Sequence, residues 1–267
     1  MKPYQFIALI FFILAFVSCK GLFEYSPSQI TLNENEKGLT AKNIDRIQKS
    51  AANDTVKFIV AGDTHQWLDE TRDFVKSANA QTGISFVTHL GDVSASGITQ
   101  EFKWFNEIMA DLKYPYLTVA GDLEANDKAK LYQHMFGEIN YSFEFAGSKF
   151  VFVNTNSKSF DSNGVVPDVP WLKAQLSTGA SSNNTIVLGH TPPFSADFDD
   201  NLETQYAKTL ADNPNVKLSF YGHEHAFSEN EPYQDGIKYY VTAGMKARSY
   251  LIVTIWKTGY RVTSMKF

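Results

Sequence analysis

From Val56 onward the chain alternates between short apolar runs and longer stretches in which apolar residues recur every three or four positions, the pattern of buried strands followed by amphipathic helices. Val56 to Ala61 reads as a strand, and Leu68 to Ala80 as a helix that turns Leu68, Phe74, Val75 and Ala78 to a core. Ile84 to Leu90 is a second strand, followed by a helix from about Gln100 to Leu112 that buries Phe102, Phe105, Ile108 and Met109. Tyr116 to Ala120 is a third, followed by a shorter helix around Ala129 to Phe136. Beyond it the pattern changes: Tyr141 to Phe145 and Phe150 to Asn154 flank Ala146-Gly147-Ser148 as a hairpin. Trp171, Leu172 and Leu176 mark a short helix, and Thr185 to Leu188 and Val216 to Tyr221 are strands. Ile237 to Thr242, Tyr250 to Ile255 and Tyr260 to Met265 close the chain as an antiparallel finish. The class is therefore α/β. Upstream, Ser26-Pro27-Ser28 and the polar run Asn33 to Gly38 break structure, and Thr40 caps a helix whose Ile44, Ile47 and Ala51 share a face. A folded domain is expected over residues 56–267, with residues 19–55 as a tether and approach to it.

Composition narrows this picture. At 267 residues and 43% hydrophobic, the chain can bury the core of one large domain. A net charge of -5 with no basic block excludes nucleic acid as a partner, since phosphate-backbone binding has no electrostatic footprint here. The single cysteine, Cys19, excludes an intrachain disulfide. Met1-Lys2, an apolar stretch from Phe6 to Val17 too short to span a bilayer, and then Ser18-Cys19 resemble a bacterial lipoprotein signal. That resemblance implies that residues 1–18 are a leader, that Cys19 carries lipid, and that the protein is anchored in the cell envelope. Lys20, in place of the aspartate associated with inner-membrane retention, points to the outer membrane.

Candidate chemistry sits at the strand ends. Ala61-Gly62-Asp63, Leu90-Gly91-Asp92 and Ala120-Gly121-Asp122 each deliver a carboxylate after a glycine. Two later strands deliver imidazoles, in Leu188-Gly189-His190 and Tyr221-Gly222-His223-Glu224-His225. In open α/β sheets, sites form beyond the carboxyl ends of strands, so these loops should converge. An extended backbone from Asp63 to His65 would point both side chains to one side, where they can grip one ion.

The ordered series Asp63-x-His65, Gly91-Asp92, Gly121-Asp122, Gly189-His190 and Gly222-His223-x-His225 resembles the calcineurin-like metallophosphoesterase superfamily. The resemblance implies a four-layer α/β/β/α sandwich of two mixed sheets, with a dinuclear metal site at the strand ends. It assigns Asp63, His65 and His225 to one metal and Asp122, His190 and His223 to the other, with Asp92 bridging. Imidazole with carboxylate suits manganese, zinc or iron, and two such ions clamp a phosphate ester and generate a bridging hydroxide for in-line attack.

One motif departs from the family. Where relatives read Gly-Asn-His-Asp, this chain reads Gly121-Asp122-Leu123-Glu124. Asp122 still coordinates, but three aspartates and a hydroxide now balance two divalent ions, which disfavours dianionic monoesters; a mixed ferric and divalent pair would restore the surplus charge. Leu123 cannot assist the leaving oxygen as the family's histidine does. Glu124 is a surface glutamate or, if shielded, a replacement proton donor, and is carried as a catalytic candidate with Asp92. Trp67, Phe194 and Phe227 follow metal motifs closely enough to line the rim and favour a ring-bearing or lipid-like substrate, while Lys246 and Arg248 are candidate phosphate partners. His89 reads as a buried, hydrogen-bonded histidine, His134 as a helix-face residue and Glu224 either as a support of the neighbouring ligand histidines or as solvated. The expected function is metal-dependent hydrolysis of phosphate esters, diesters or activated esters ahead of simple monoesters. The alternative is a catalytically impaired fold serving as an envelope binding protein.

Overall fold

The computed structural model describes residues 26, 29–51, 54–160, 164–178 and 182–267; Cys19 and the leader lie outside the described residues. Strand β1 (Thr55–Ala61) is buried along nearly its whole length, as a continuous apolar run demands of a central strand. It pairs in parallel with β2 (Phe86–His89), which pairs in parallel with β3 (Tyr116–Thr118). The hairpin β4 (Tyr141–Phe145) and β5 (Ser148–Phe152) opens a second sheet through a two-residue turn in which Ala146 and Gly147 both take positive φ. That sheet continues in parallel through β6 (Asn184–Leu188), β7 (Val216–Tyr221) and β9 (Lys238–Val241), with β8 (Ser228–Asn230) antiparallel at its edge. The closing strands β10 (Ser249–Trp256) and β11 (Gly259–Lys266) return to the first sheet and lie antiparallel beside β1. The orders are β11-β10-β1-β2-β3 and β4-β5-β6-β7-β9-β8.

Helices cover both outer faces. Helices α2 (Leu68–Ala80), α3 (Thr99–Ala110) and α4 (Asn126–Met135) bury Phe74, Phe105 and Tyr132 against the first sheet. Helices α5 (Val169–Ser177) and α6 (Asp200–Ala211) bury Leu172, Tyr206 and Leu210 against the second. Between the sheets lies a third apolar layer, in which Phe58 stacks on Phe86 at 5.1 Å and Phe150 meets both rings edge-on at 5.4 and 5.1 Å. This is the expected four-layer α/β/β/α sandwich.

Three expectations change. Strand β9 does not join the antiparallel finish expected of residues 237–242: it runs parallel to β7 in the second sheet, because the chain crosses back to the first sheet only before β10. Helix α1 (Leu39–Gln48) is no free tether: Ile47 is fully buried, and Asn43 Nδ2 donates to Tyr116 O at 2.9 Å, so the folded unit begins before Val56. Helix α6 adds an element to those read from the apolar pattern: its buried Leu202, Tyr206 and Leu210 recur every four residues, a helical period, within a mostly polar stretch. The described residues contain no helix long and apolar enough to cross a membrane.

Phe150 packs against both sheets, so truncating it leaves a cavity in the central layer. Phe150→Ala is expected to cost about 3–5 kcal/mol in denaturant unfolding; a loss below about 1 kcal/mol would mean that this layer does not hold the sheets together.

Candidate metal centre

Five strand ends from both sheets meet at one edge of the sandwich, and backbone hydrogen bonds interlock their loops. Asp63 N donates to Gly91 O at 3.2 Å, His65 N to Asp92 O at 3.0 Å, and Gly222 N to His190 O at 2.9 Å. The backbone is not extended at the candidate ligands. Asp63, His65, Asp92, His223 and His225 all have positive φ, between 46° and 69°. This corrects the reading of Asp63 and His65 as neighbours on one face of an extended segment: two left-handed turns around Thr64 aim their side chains inward. The glycines serve close approach instead. A Cβ at Gly121 would fall 2.1 Å from both Asp92 N and Asp92 Oδ1, and one at Gly91 would meet His190 Nδ1 at 2.6 Å.

The result is three overlapping groups of ligand atoms: His65 with Asp92 and His225, Asp122 with His190 and His223, and Asp63 with Asp92 and His190. Asp92 Oδ2 lies 3.4 Å from His65 Nε2 and 3.5 Å from His190 Nε2, and so belongs to both sides of the cluster. Its other oxygen is held by Leu123 N at 3.2 Å. His190 Nδ1 donates to Leu90 O at 2.5 Å, which turns Nε2 toward Asp122 Oδ1 at 3.0 Å, where it carries a proton to that oxygen or, once deprotonated, offers a lone pair to a metal. His225 Nε2 stands 3.7 Å from Asp63 Oδ2.

Two observations test whether a cation fits. Asp63 is wholly buried, and neither of its oxygens has a hydrogen-bond partner among the described residues. His65 Nε2 and His225 Nε2 face each other at 2.9 Å, a contact that needs a proton or a cation between the nitrogens. Both are what a metal would satisfy, and the donor set of imidazole and carboxylate suits first-row divalent ions. The electrostatics agree. Burial pushes the Asp63 carboxyl up to about 7. Burial works against the charged form of His190 too, but the carboxylates of Asp92, Asp122 and Asp63 hold it well above the usual imidazole range. Asp122 is depressed despite its burial, because His190 and His223 bond to it. Burial lowers His65 and His225.

Other predicted residues find different roles. Glu124 is not at the surface: it is 2% exposed, and its Oε2 accepts from Asp92 N and Gly121 N, both at 2.8 Å. Its Oε1 accepts from Ser94 N at 3.3 Å and Ser94 Oγ at 3.1 Å. Burial and the Asp92 charge push the carboxyl up to about 8, against these four donors. Both oxygens are thus committed to clasping two ligand loops, and the proton-donor assignment gives way to a positioning one. Arg248 is committed elsewhere, to Asp73 at 2.7 Å and to Phe267 O at 3.1 Å, and is no phosphate partner in this arrangement. Phe194 packs on Tyr239 in the helix-side core. Trp67 does stand at the cluster, edge-on to His65 at 5.3 Å and His225 at 5.8 Å, with Lys246 Nζ 5.8 Å from its ring. Phe227 is half exposed. His89 is buried neutral, its Nε2 3.0 Å from Thr64 Oγ1, His134 is exposed on its helix, and Glu224 is exposed. Asp197, which no sequence pattern singled out, bonds His223 Nε2 at 3.0 Å.

A family model described as calcineurin-like phosphoesterase matches residues 56–227. No curated protein matches the sequence. Among solved structures, a dimetal phosphatase from Danio rerio superposes with a TM-score of 0.63 at 12% identity, over 79% of this chain and 96% of that one. GAP50, the anchor in the inner membrane complex of Plasmodium, gives 0.61 at 14% identity, over 79% and 84%. A purple acid phosphatase from yellow lupin (Lupinus luteus) seeds gives 0.61 at 13% identity, over 81% of this chain and 52% of that one. At these identities the likeness is one of fold.

Stripping cations with a chelator is expected to lower the thermal midpoint, and by more at pH 8 than at pH 6. A metal displaces protons from these ligands. Asp63, raised to about 7, and the raised His190 favour the fold while protonated, and that contribution is lost as pH rises through their folded values. His65 and His225, being lowered, are proton-free at pH 8 and compete least with a metal there. Thermal scans with and without chelator check this; equal shifts at both pH values would contradict a buried cation site.

Proposed function

Since the chain belongs to the calcineurin-like phosphoesterase family, which uses divalent metal ions, we propose that it hydrolyses phosphate esters at a two-metal centre. Asp63, His65 and His225 would hold one ion and Asp122, His190 and His223 the other, with Asp92 shared; manganese, zinc or iron suits these donors. Ions held by these residues would supply Lewis-acid polarisation of a phosphoryl oxygen and a water acidic enough to act as nucleophile near neutral pH. The observation that carries the reading is Asp92 Oδ2, set almost equidistant from an imidazole of each half, beside the Asp63 carboxylate, whose oxygens face His190 and His225 at 3.7 Å without a hydrogen bond.

The chain's own residues then set the preference among esters. Asp122 brings a negative charge where the family carries an amide. A unit charge at ~4 Å is worth up to about 4 kcal/mol at an effective dielectric near 20, so replacing the amide weakens the attraction for a dianionic monoester about twice as much as for a monoanionic diester. Leu123 offers the leaving oxygen neither charge nor proton, and both oxygens of the adjacent Glu124 are engaged by backbone and Ser94 donors. Leaving groups that depart without protonation are therefore favoured. Trp67 and Lys246 form an aromatic and cationic wall beside His65 and His225, suited to a ring-bearing alcohol on an anionic ester. The resemblance of residues 1–18, ahead of Cys19, to a lipoprotein signal supports action in the cell envelope, on small or lipid-like phosphate esters.

Leu123 also favours a second reading, in which the same fold binds a partner in the envelope without turnover. The two readings separate on two substitutions. Asp92→Ala is expected to abolish metal-dependent hydrolysis of chromogenic diesters; metal-loaded wild type no faster than that variant would favour the binding protein. Leu123→His is expected to raise turnover most for esters with poor leaving groups, by up to about 10²-fold. A gain equal for good and poor leaving groups would deny Leu123 that role.

A further inference from the structure

A metal-bound histidine needs its other ring nitrogen held, because that second bond fixes the tautomer and aims the ligating lone pair. His190 uses the backbone carbonyl of Leu90 for this. Among the described residues no carbonyl bonds the His223 ring. Its Nε2 lies instead 3.0 Å from Asp197 Oδ2, which turns Nδ1 toward Asp122 Oδ1 at 3.4 Å, the same oxygen that His190 Nε2 faces. We propose that Asp197 is the positioning residue of the Asp122, His190 and His223 site, holding His223 as the Nε2–H tautomer so that Nδ1 is the ligand. The inference rests on the two-metal reading and adds a residue to it.

Asp197 is 62% exposed, yet its backbone is pinned on both sides. Lys158 Nζ donates to Ala196 O immediately before it. Phe198 immediately after is buried, packs on Tyr206 at 5.5 Å, and donates its N–H to Ser195 O at 3.1 Å. Asp199 next caps α6 by accepting from Asn201 N at 2.9 Å. With its neighbours tethered, the backbone presents the Asp197 side chain to His223, and only χ1 and χ2 remain to be fixed by the bond itself. His65 and His225, on the other side of Asp92, make no contact with this segment among the polar interactions of the described residues. The effect of Asp197 should therefore be confined to one of the two ions.

The test is a competitive titration of the full chain with zinc against a chromophoric chelator, comparing wild type, Asp197→Asn and Asp197→Ala, with 15N spectra of histidine-labelled protein. Wild type should take up two ions, with His223 ligating through Nδ1. Asp197→Ala should weaken one site about 10- to 100-fold and leave the other unchanged. Asp197→Asn, which keeps an acceptor oxygen but loses the charge, should fall between the two. Two ions held equally tightly by all three proteins, or His223 ligating through Nε2, would overturn the inference while leaving the two-metal reading intact. Fewer than two ions in wild type would overturn that reading itself, and the inference with it.

Discussion

The structure is organised around a concentration of like charge that a protein interior does not tolerate unaided. Asp63, Asp92 and Glu124 are buried within one cluster, Asp122 stands half-buried beside them, and Asp63 has no hydrogen-bond donor among the described residues. A buried carboxylate without a partner is destabilising by several kcal/mol unless it takes a proton or meets a cation. Five candidate ligand residues also sit in left-handed backbone, at roughly 1 to 3 kcal/mol each. That sum approaches the whole net stability of a typical domain. A cation held by this cluster would offset that cost, so metal binding at the site would be coupled to folding.

The sandwich explains how such a cluster is assembled. Parallel strands in both sheets end at the same edge, so Asp63, Asp92 and Asp122 arrive from one sheet and His190, His223 and His225 from the other. The aromatic layer of Phe58, Phe86, Phe150 and Phe220 fixes the two sheets face to face, and with them the distance between the two sets of ligands. Glu124 does for the loops what that layer does for the sheets, since one carboxylate receives the N–H groups of Asp92, Gly121 and Ser94.

Much of this was legible in the sequence, because a glycine followed by a carboxylate or imidazole at the end of an apolar run is a local signal. Each of the seven proposed ligands lies in the cluster. Other features depend on distant groups that no local pattern reveals. Glu124 looks like a surface residue until the β2 loop folds over it, Arg248 like a phosphate partner until Asp73 and the carboxyl end of the chain claim it, and Phe194 like a rim residue until Tyr239 packs on it. Asp197 lies in a polar loop with no periodicity, and only the fold brings it to His223. The left-handed conformation of Asp63 and His65 was hidden for a related reason: it is imposed by hydrogen bonds to Gly91 and Asp92, not by the residues themselves.

A two-metal centre of this shape requires Asp92 to serve two ions at once. Anomalous diffraction from crystals grown with manganese or zinc, recorded on either side of the metal's absorption edge, addresses that most directly. Two peaks are predicted, each in contact with Asp92, one beside His65 and His225 and the other beside His190 and His223. A single peak, or two of which only one touches Asp92, would contradict the shared-carboxylate centre.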